Sequence, residues 1–128
     1  KFDLVMFHHS FEHLPSPVEV FKKLVTILNP EGQVLIRVPV TDAQVWKEEH
    51  TYWFQLDAPR HLFIPNTKSM EILGERFGLE LFNTTFDSMD SQFWGTALNI
   101  HSINSMSSQN LKCLIPYQLE ISYKLTLA

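Results

Sequence analysis

The sequence predicts an α/β fold of parallel strands joined by crossover helices, and three consecutive features predict it. A short apolar run from Phe2 to Phe7 opens into a polar cluster, which is typical of a buried parallel strand that ends at a ligand crevice. A helix signature follows, and a second apolar run from Val34 to Val38 ends at Pro39. Two parallel strands joined by a helix form a βαβ unit.

The first helix has start and stop signals in the sequence. Ser16 is expected as its N-cap, Pro17 at the first helical position, and Glu19 as the partner in a capping box. The helix is predicted to run to about Leu28, because apolar residues recur at three-to-four spacing and form one stripe. Residues 29–32, Asn-Pro-Glu-Gly, are predicted to end it before the second strand begins.

A second helix and two further strands are predicted in the rest of the chain. Asn66 or Thr67 caps the helix, and the sequence Phe-Gly-Leu at 77–79 indicates a left-handed C-cap. Its predicted buried stripe consists of Met70, Leu73, Gly74 and Phe77. Residues 79–86 are predicted as a strand, and strict alternation from Tyr117 to Leu127 predicts another with one exposed face. Residues 87–116 form an insertion between them, with a short strand or helix expected at 92–100.

Composition limits the class of protein. With 128 residues, of which 45% are hydrophobic, the chain is one domain or part of one. A net charge of -4 argues against a nucleic-acid partner. The lone Cys113 excludes an intrachain disulfide and suits a reducing cytoplasm, where we expect the protein. No apolar run approaches the roughly 20 residues that cross a bilayer, so no membrane partner is expected.

Two segments resemble a known family. The first, FDLVMFHHSFEHLPSPVEVFKKLVTILNPEGQVLIRVPV, resembles the carboxyl-terminal half of class I S-adenosylmethionine-dependent methyltransferases. The second, WFQLDAPRHLFIPNTKSMEILGERFGLEL, resembles a small bacterial subset with a Gln-Leu-Asp-x-Pro-Arg-His segment after the second strand. The resemblance implies a partial Rossmann-like methyltransferase sheet with a terminal antiparallel hairpin, S-adenosylmethionine as cofactor, and a small-molecule methyl acceptor.

The Gly-rich cofactor loop of that family is missing from the sequence. The four glycines, Gly32, Gly74, Gly78 and Gly95, are too far apart for a G-x-G turn. The chain is therefore expected to be the carboxyl-terminal part of a single methyltransferase domain, 1–128, and to be inactive alone. Two alternatives stay open: a dinucleotide-dependent enzyme, which the final antiparallel strand disfavours, and a non-catalytic half-domain. The half-domain would complete its sheet with another chain, such as a second copy pairing along the exposed strand 2–7.

Residues 8–13, named here the crevice loop, hold the candidate catalytic residues. The resemblance implies that His8, His9 and Ser10 face the cofactor, so His8 or His9 is a candidate base for the acceptor's proton. For His13 we favour a hydrogen bond to a backbone carbonyl, with Glu12 capping nearby amides. Some methyltransferases bind a divalent ion through an E-x-x-E-H loop at this position, but His9 replaces the first Glu. We therefore expect no metal, and the H-x-x-E-H spelling of a protease motif does not lie on one helix.

Residues 40–65, named here the lid, hold the candidate acceptor-binding residues. A connection this long with little periodicity is typical of a lid or an insertion. The rings of Trp46 and Trp53 suit contact with a sulfonium or an apolar acceptor. Arg60 and His61 suit an anionic group on the acceptor. The alternative is that Trp53 packs against the sheet and that Arg60 pairs with the neighbouring Asp57.

Overall fold

The computed structural model describes residues 1–87, 95–98, 100 and 118–125, the last range for its backbone. The strands are β1 (Phe2–His8), β2 (Leu28–Pro39), β3 (Leu79–Asp87) and β4 (Gln118–Leu125). The helices are α1 (Pro17–Ile27), α2 (Gln44–Glu49) and α3 (Thr67–Arg76). Residues 95–98 are also helical, within the segment where a short element was expected, and most of the 87–116 insertion lies outside the described residues.

The βαβ unit is confirmed. β1 and β2 pair in parallel, with Val5 opposite Val34, and α1 connects them. The Asn-Pro-Glu-Gly segment, however, does not lie outside the sheet as predicted, because β2 begins at Leu28. The turn residues lie within β2 and shift the register between β1 and β2. Phe2 pairs with Leu28, whereas Leu4 pairs with Gln33. The left-handed φ of Glu31, 66°, lies within this shift.

The terminal hairpin is confirmed, and its position in the sheet is defined. β3 and β4 pair antiparallel, and β4 also pairs antiparallel with β2. The strand order is therefore β1-β2-β4-β3. Among the described strands, β1 and β3 form the two edges of the sheet.

One face of the sheet carries the main core. α1 and α3 pack on this face, where Val5 and Phe7 of β1 contact the same cluster. The buried residues are Phe11, Phe21, Leu24, Leu28, Val34, Ile36, Val38, Val40, Met70 and Leu79. Leu4 and Met6 alternate with the inward residues of β1, so they project from the other face and are exposed. In the part of the chain that the structure describes, β1 thus combines an unpaired edge with an apolar, uncovered face.

The helix ends follow the predicted caps. Ser16 Oγ accepts a hydrogen bond from the Glu19 backbone N–H, with Pro17 as the first residue of α1. Asn66 and Ser69 form a reciprocal capping box at the start of α3. Gly78, after α3, has a φ of 72°, which a residue without Cβ adopts at low cost. Among the described residues, no helix combines the length and the apolar character that a membrane span requires.

Candidate functional site

The crevice loop turns sharply where β1 ends. His8 is the last residue of β1, and His9 follows with a φ of 49° while its N–H still bonds the carbonyl of Arg37. A 3₁₀ turn, Phe11–His13, completes the loop. Phe11 is fully buried and contacts the rings of Phe7, Phe21 and Phe63 edge-on. This aromatic anchor holds the polar residues beside it at the carboxyl end of the parallel strands.

Glu12 is the most unusual residue of the loop. Its side chain is 1% exposed, and neither oxygen accepts a hydrogen bond from any residue that the structure describes. Two imidazoles lie close to it: His9 Nδ1 and His61 Nε2 are each 3.8 Å from Oε1. The expectation that Glu12 caps nearby amides is therefore wrong, because neither carboxylate oxygen accepts a hydrogen bond from a described amide.

The lid contains more regular structure than its sequence suggested. α2 is followed by two 3₁₀ turns, His50–Tyr52 and Phe54–Leu56. The lid then joins the crevice loop through a backbone hydrogen bond from Leu62 N–H to Glu12 O of 2.9 Å. His13 Nδ1 lies 2.9 Å from the carbonyl oxygen of Arg60, which confirms the predicted bond to a backbone carbonyl.

His61 lies between the two segments. Its side chain is 11% exposed, and Nδ1 lies 2.7 Å from the carbonyl oxygen of Gln55, to which it donates in the matching tautomer. Nε2 consequently faces Glu12 Oε1 at 3.8 Å and Asp57 Oδ2 at 3.9 Å. The ring centroids of His61 and His13 are 4.9 Å apart. The structure therefore brings His61 to the crevice loop, as a site residue requires.

Arg60 lies at the surface of the lid. Its Nη2 forms an ion pair with Asp57 Oδ2 at 2.5 Å, and its side chain is 73% exposed. The Asp57–Arg60 pair considered in the sequence is therefore confirmed. An exposed pair is worth little to stability, so the guanidinium is free to exchange Asp57 for an anionic ligand at small cost.

The two tryptophans occupy different places. Trp53 is buried with Ala43 and Val45 in a small core of the lid, whereas Trp46 is partly buried against it, with ring centroids 6.1 Å apart. The expectation that Trp53 contacts a ligand does not fit this placement, because its ring lies in the interior. Apolar packing within the lid buries it, whereas the alternative considered in the sequence placed it against the sheet. Trp46 retains an accessible ring.

Arg37 is a site residue that the sequence reading missed. Its Nη1 donates to Nε2 of the exposed His8 at 3.0 Å, and the rings of His8 and His9 lie 4.7 Å apart. The available signal was a charge within the apolar run Val34–Val38, since a buried parallel strand rarely carries one. Ser10 is exposed next to this group. The site thus has two halves: His8, His9 and Arg37 on the strands, and Glu12, His13 and His61 where the lid joins.

The site occupies the carboxyl end of a parallel βαβ unit. Comparison with known proteins shows to which family this unit belongs. A sequence model described as a methyltransferase domain matches residues 1–84. The chain belongs to this methyltransferase domain family. No curated protein sequence matches the chain.

Solved structures of methyltransferases share the fold. A candidate sarcosine dimethylglycine methyltransferase from Galdieria sulphuraria matches with a TM-score of 0.61 at 14% identity, over 97% of this chain and 53% of that protein. A SAM-dependent methyltransferase from Methanosarcina mazei matches with a TM-score of 0.60 at 11% identity, over 99% and 60%. Phosphoethanolamine N-methyltransferase 2 from Haemonchus contortus matches with a TM-score of 0.52 at 14% identity, over 99% of this chain and 34% of that protein. That structure is a complex with phosphomonomethylethanolamine and S-adenosylhomocysteine.

These matches define the fold and its extent. The methyltransferase domain has the predicted Rossmann-like α/β sheet, with parallel strands, a crossover helix and a terminal antiparallel hairpin. The chain spans 53% and 60% of the length of the first two structures.

Proposed function

We propose that the full-length protein transfers a methyl group from S-adenosylmethionine to a small-molecule acceptor, and that this chain supplies the acceptor side of the site. The observation that carries the proposal is the family match over residues 1–84, which includes the whole crevice loop and the lid. The similar structures include methyltransferases, one of them with S-adenosylhomocysteine bound. The match to the methyltransferase domain family supports a small-molecule acceptor, and one similar structure holds phosphomonomethylethanolamine.

The residues present fit one side of such a cofactor. His8 and Ser10 are exposed at the carboxyl end of β1, where ligands of open α/β sheets bind. The sequence contains no G-x-G turn, so the grip on the rest of the cofactor must come from residues outside this chain. We therefore expect the 128-residue chain alone to bind S-adenosylhomocysteine negligibly. When bound, the cofactor supplies an activated methyl group on a sulfonium.

His9 is the better candidate of the two histidines for the base. Glu12 Oε1 lies 3.8 Å from His9 Nδ1 and would stabilise the imidazolium that forms when the ring takes the acceptor's proton. His8 Nε2 already accepts a hydrogen bond from Arg37, so its ring suits contact with the cofactor. On the lid, Trp46, Arg60 and His61 would position the acceptor, while buried Trp53 supports them from within.

Methyl transfer is tested with the full-length protein and a panel of amine, hydroxyl and thiol acceptors. Production of S-adenosylhomocysteine that depends on one acceptor supports the proposal. His9→Ala is expected to lower kcat by about 100-fold for a hydroxyl acceptor. Lys22→Ala is the control, because the Lys22 side chain is 68% exposed on α1 and belongs to neither the crevice loop nor the lid. Absence of turnover with every acceptor, together with no binding of S-adenosylhomocysteine to the full-length protein, would contradict the proposal.

A non-catalytic half-domain is the second candidate, and the exposed edge of β1 favours it. Phe2, Leu4 and Met6 are each more than half exposed on an edge strand, an arrangement prone to strand pairing. A second copy could pair along this edge and form a homo-oligomer. Light scattering of the 128-residue chain tests this candidate: a dimer that Leu4→Lys converts to monomer supports it, and a monomer at all concentrations contradicts it.

A further inference from the structure

The junction between the crevice loop and the lid brings three ligand-type side chains together. One ligand atom each from Glu12, His13 and His61 lies within 4.8 Å of the other two. Two of these residues belong to the crevice loop and the third to the lid. A backbone hydrogen bond from Leu62 N–H to Glu12 O and the contact of His13 Nδ1 with the carbonyl oxygen of Arg60 join the two segments. The cluster is therefore a product of the fold.

The state of the Glu12 carboxylate points independently to a ligand. A buried carboxylate that accepts no hydrogen bond is costly, because it has lost its hydration without replacement. Both Glu12 oxygens are in that state with respect to the described residues, although imidazoles lie nearby at 3.8 Å. A cation held between this carboxylate and the imidazoles of His13 and His61 would remove the cost.

The two histidines are oriented as metal ligands are. In protein metal sites, a ligating imidazole commonly donates its other N–H to a backbone carbonyl, which fixes both the tautomer and the ring orientation. His13 Nδ1 has such a partner in Arg60 O, and His61 Nδ1 has one in Gln55 O. A neutral imidazole that donates from Nδ1 carries its lone pair on Nε2, and in His61 this nitrogen faces Glu12 Oε1.

We propose that Glu12, His13 and His61 bind one divalent transition-metal ion, of which zinc is the representative. Two imidazoles and one carboxylate form a donor set that suits zinc and its neighbours, whereas magnesium and calcium prefer oxygen ligands alone. Such a set leaves at least one coordination position for water or another ligand. Asp57 Oδ2 lies 3.9 Å from His61 Nε2 but does not belong to the group of ligand atoms that lie within 4.8 Å of one another.

The ligand atoms must move closer together to bind an ion. Bonds of about 2.1 Å in a tetrahedral zinc site put ligand atoms roughly 3.4 Å apart. The Glu12–His61 distance of 3.8 Å is within half an ångström of that value, and the ligand atom of the exposed His13 lies within 4.8 Å of the other two. The binding of the ion does not depend on the proposed methyl transfer, and its test uses no methyl donor.

Cobalt(II) is the probe, since it replaces zinc and absorbs visible light in a protein site of low coordination number. The chain, stripped with a chelator, is titrated with Co²⁺ and then with Zn²⁺. One equivalent of Co²⁺ with visible absorption that Zn²⁺ displaces is the expected result. Glu12→Gln and His61→Ala should each weaken Co²⁺ binding by more than about 100-fold, because changing even the outer partners of metal ligands costs 10 to 100-fold. His50→Asn should bind as the parent chain does.

Thermal unfolding separates a metal site from a structural ion pair. If the role of the Glu12 carboxylate is to bind a metal, the Tm of metal-free Glu12→Gln is no lower than that of the metal-free parent chain. Saturating Zn²⁺ then raises the Tm of the parent chain but not that of the variant. Failure of Co²⁺ to bind the parent, or equal binding by the parent and both variants, would overturn the proposal. A Glu12→Gln chain that melts well below the parent or fails to fold would overturn it as well, since Glu12 would then be needed for its contacts with the histidines.

Discussion

Two carboxylates of this domain join distant segments, and they do so in opposite ways. Asp42, at the start of the lid, accepts hydrogen bonds of 2.6 Å from both the backbone N–H and the hydroxyl of Thr67, the first residue of α3. Glu12, in the crevice loop, is more deeply buried, yet it accepts no hydrogen bond from the described part of the chain. One carboxylate is satisfied by the fold, and the other is held next to imidazoles without being satisfied.

The difference separates a structural role from a functional one. Asp42 binds N–H and O–H donors at the amino end of a helix, where unpaired donors and the helix dipole favour a negative charge. Its partners are complete without a ligand. Glu12 would gain from a ligand that the described residues do not supply, and an unpaired buried polar group of that kind can mark a functional site. The four predictions below test this contrast, from the largest effect to the smallest.

Phe11→Ala should be the most damaging change, because Phe11 anchors the crevice loop in the core. Loss of a fully buried phenylalanine lowers the free energy of unfolding by about 3–5 kcal/mol. Urea denaturation followed by circular dichroism measures it. Phe82→Ala is the control, since Phe82 is half exposed, and it should cost less than about 1 kcal/mol. Equal costs for the two changes would mean that the loop is not held by this anchor.

Asp42→Ala should lower the free energy of unfolding by about 2–3 kcal/mol, because two hydrogen bonds to a charged acceptor are lost at the start of α3. Asp42→Asn keeps one acceptor oxygen and should cost about half as much. The same urea titration provides the measurement. A cost below about 0.5 kcal/mol for Asp42→Ala would remove the contrast with Glu12.

Glu12→Gln should change stability by no more than about 1 kcal/mol in the metal-free chain, and in the stabilising direction, because a neutral amide is cheaper to bury than an unpaired carboxylate. Asp42→Asn is the most direct comparison, because both changes replace a carboxylate with an amide. The two changes are expected to shift the free energy of unfolding in opposite directions. Destabilisation by both would show that the two carboxylates play the same structural role.

Arg60→Ala should have the smallest effect on stability, below about 0.5 kcal/mol, because its pair with Asp57 is exposed to water. In the full-length protein, the same change should raise KM for an anionic acceptor while leaving the Tm within a degree or two. A large fall in Tm would assign Arg60 to the fold instead of the site.

The features that could be predicted from the sequence are local. Caps such as Ser16 and Asn66, the left-handed Gly78 and the alternation in β4 depend on residues within a few positions, so they can be recognised without knowing the fold. The early start of β2 at Leu28 was missed, because pairing with β1 drew turn-forming residues into the strand.

The candidate site depends on contacts that no local pattern contains. His13 and Arg60 are 47 positions apart, and only the packing of the lid against the crevice loop brings them together. Burial was equally hidden: Trp53 reads like a ligand-binding ring and lies in the core of the lid, whereas Glu12 reads like a surface cap and lies inside. The sequence by itself determined the elements and the chemistry available near the end of β1. The tertiary structure decided which side chains meet there and which are shielded from water, because both depend on how distant segments pack.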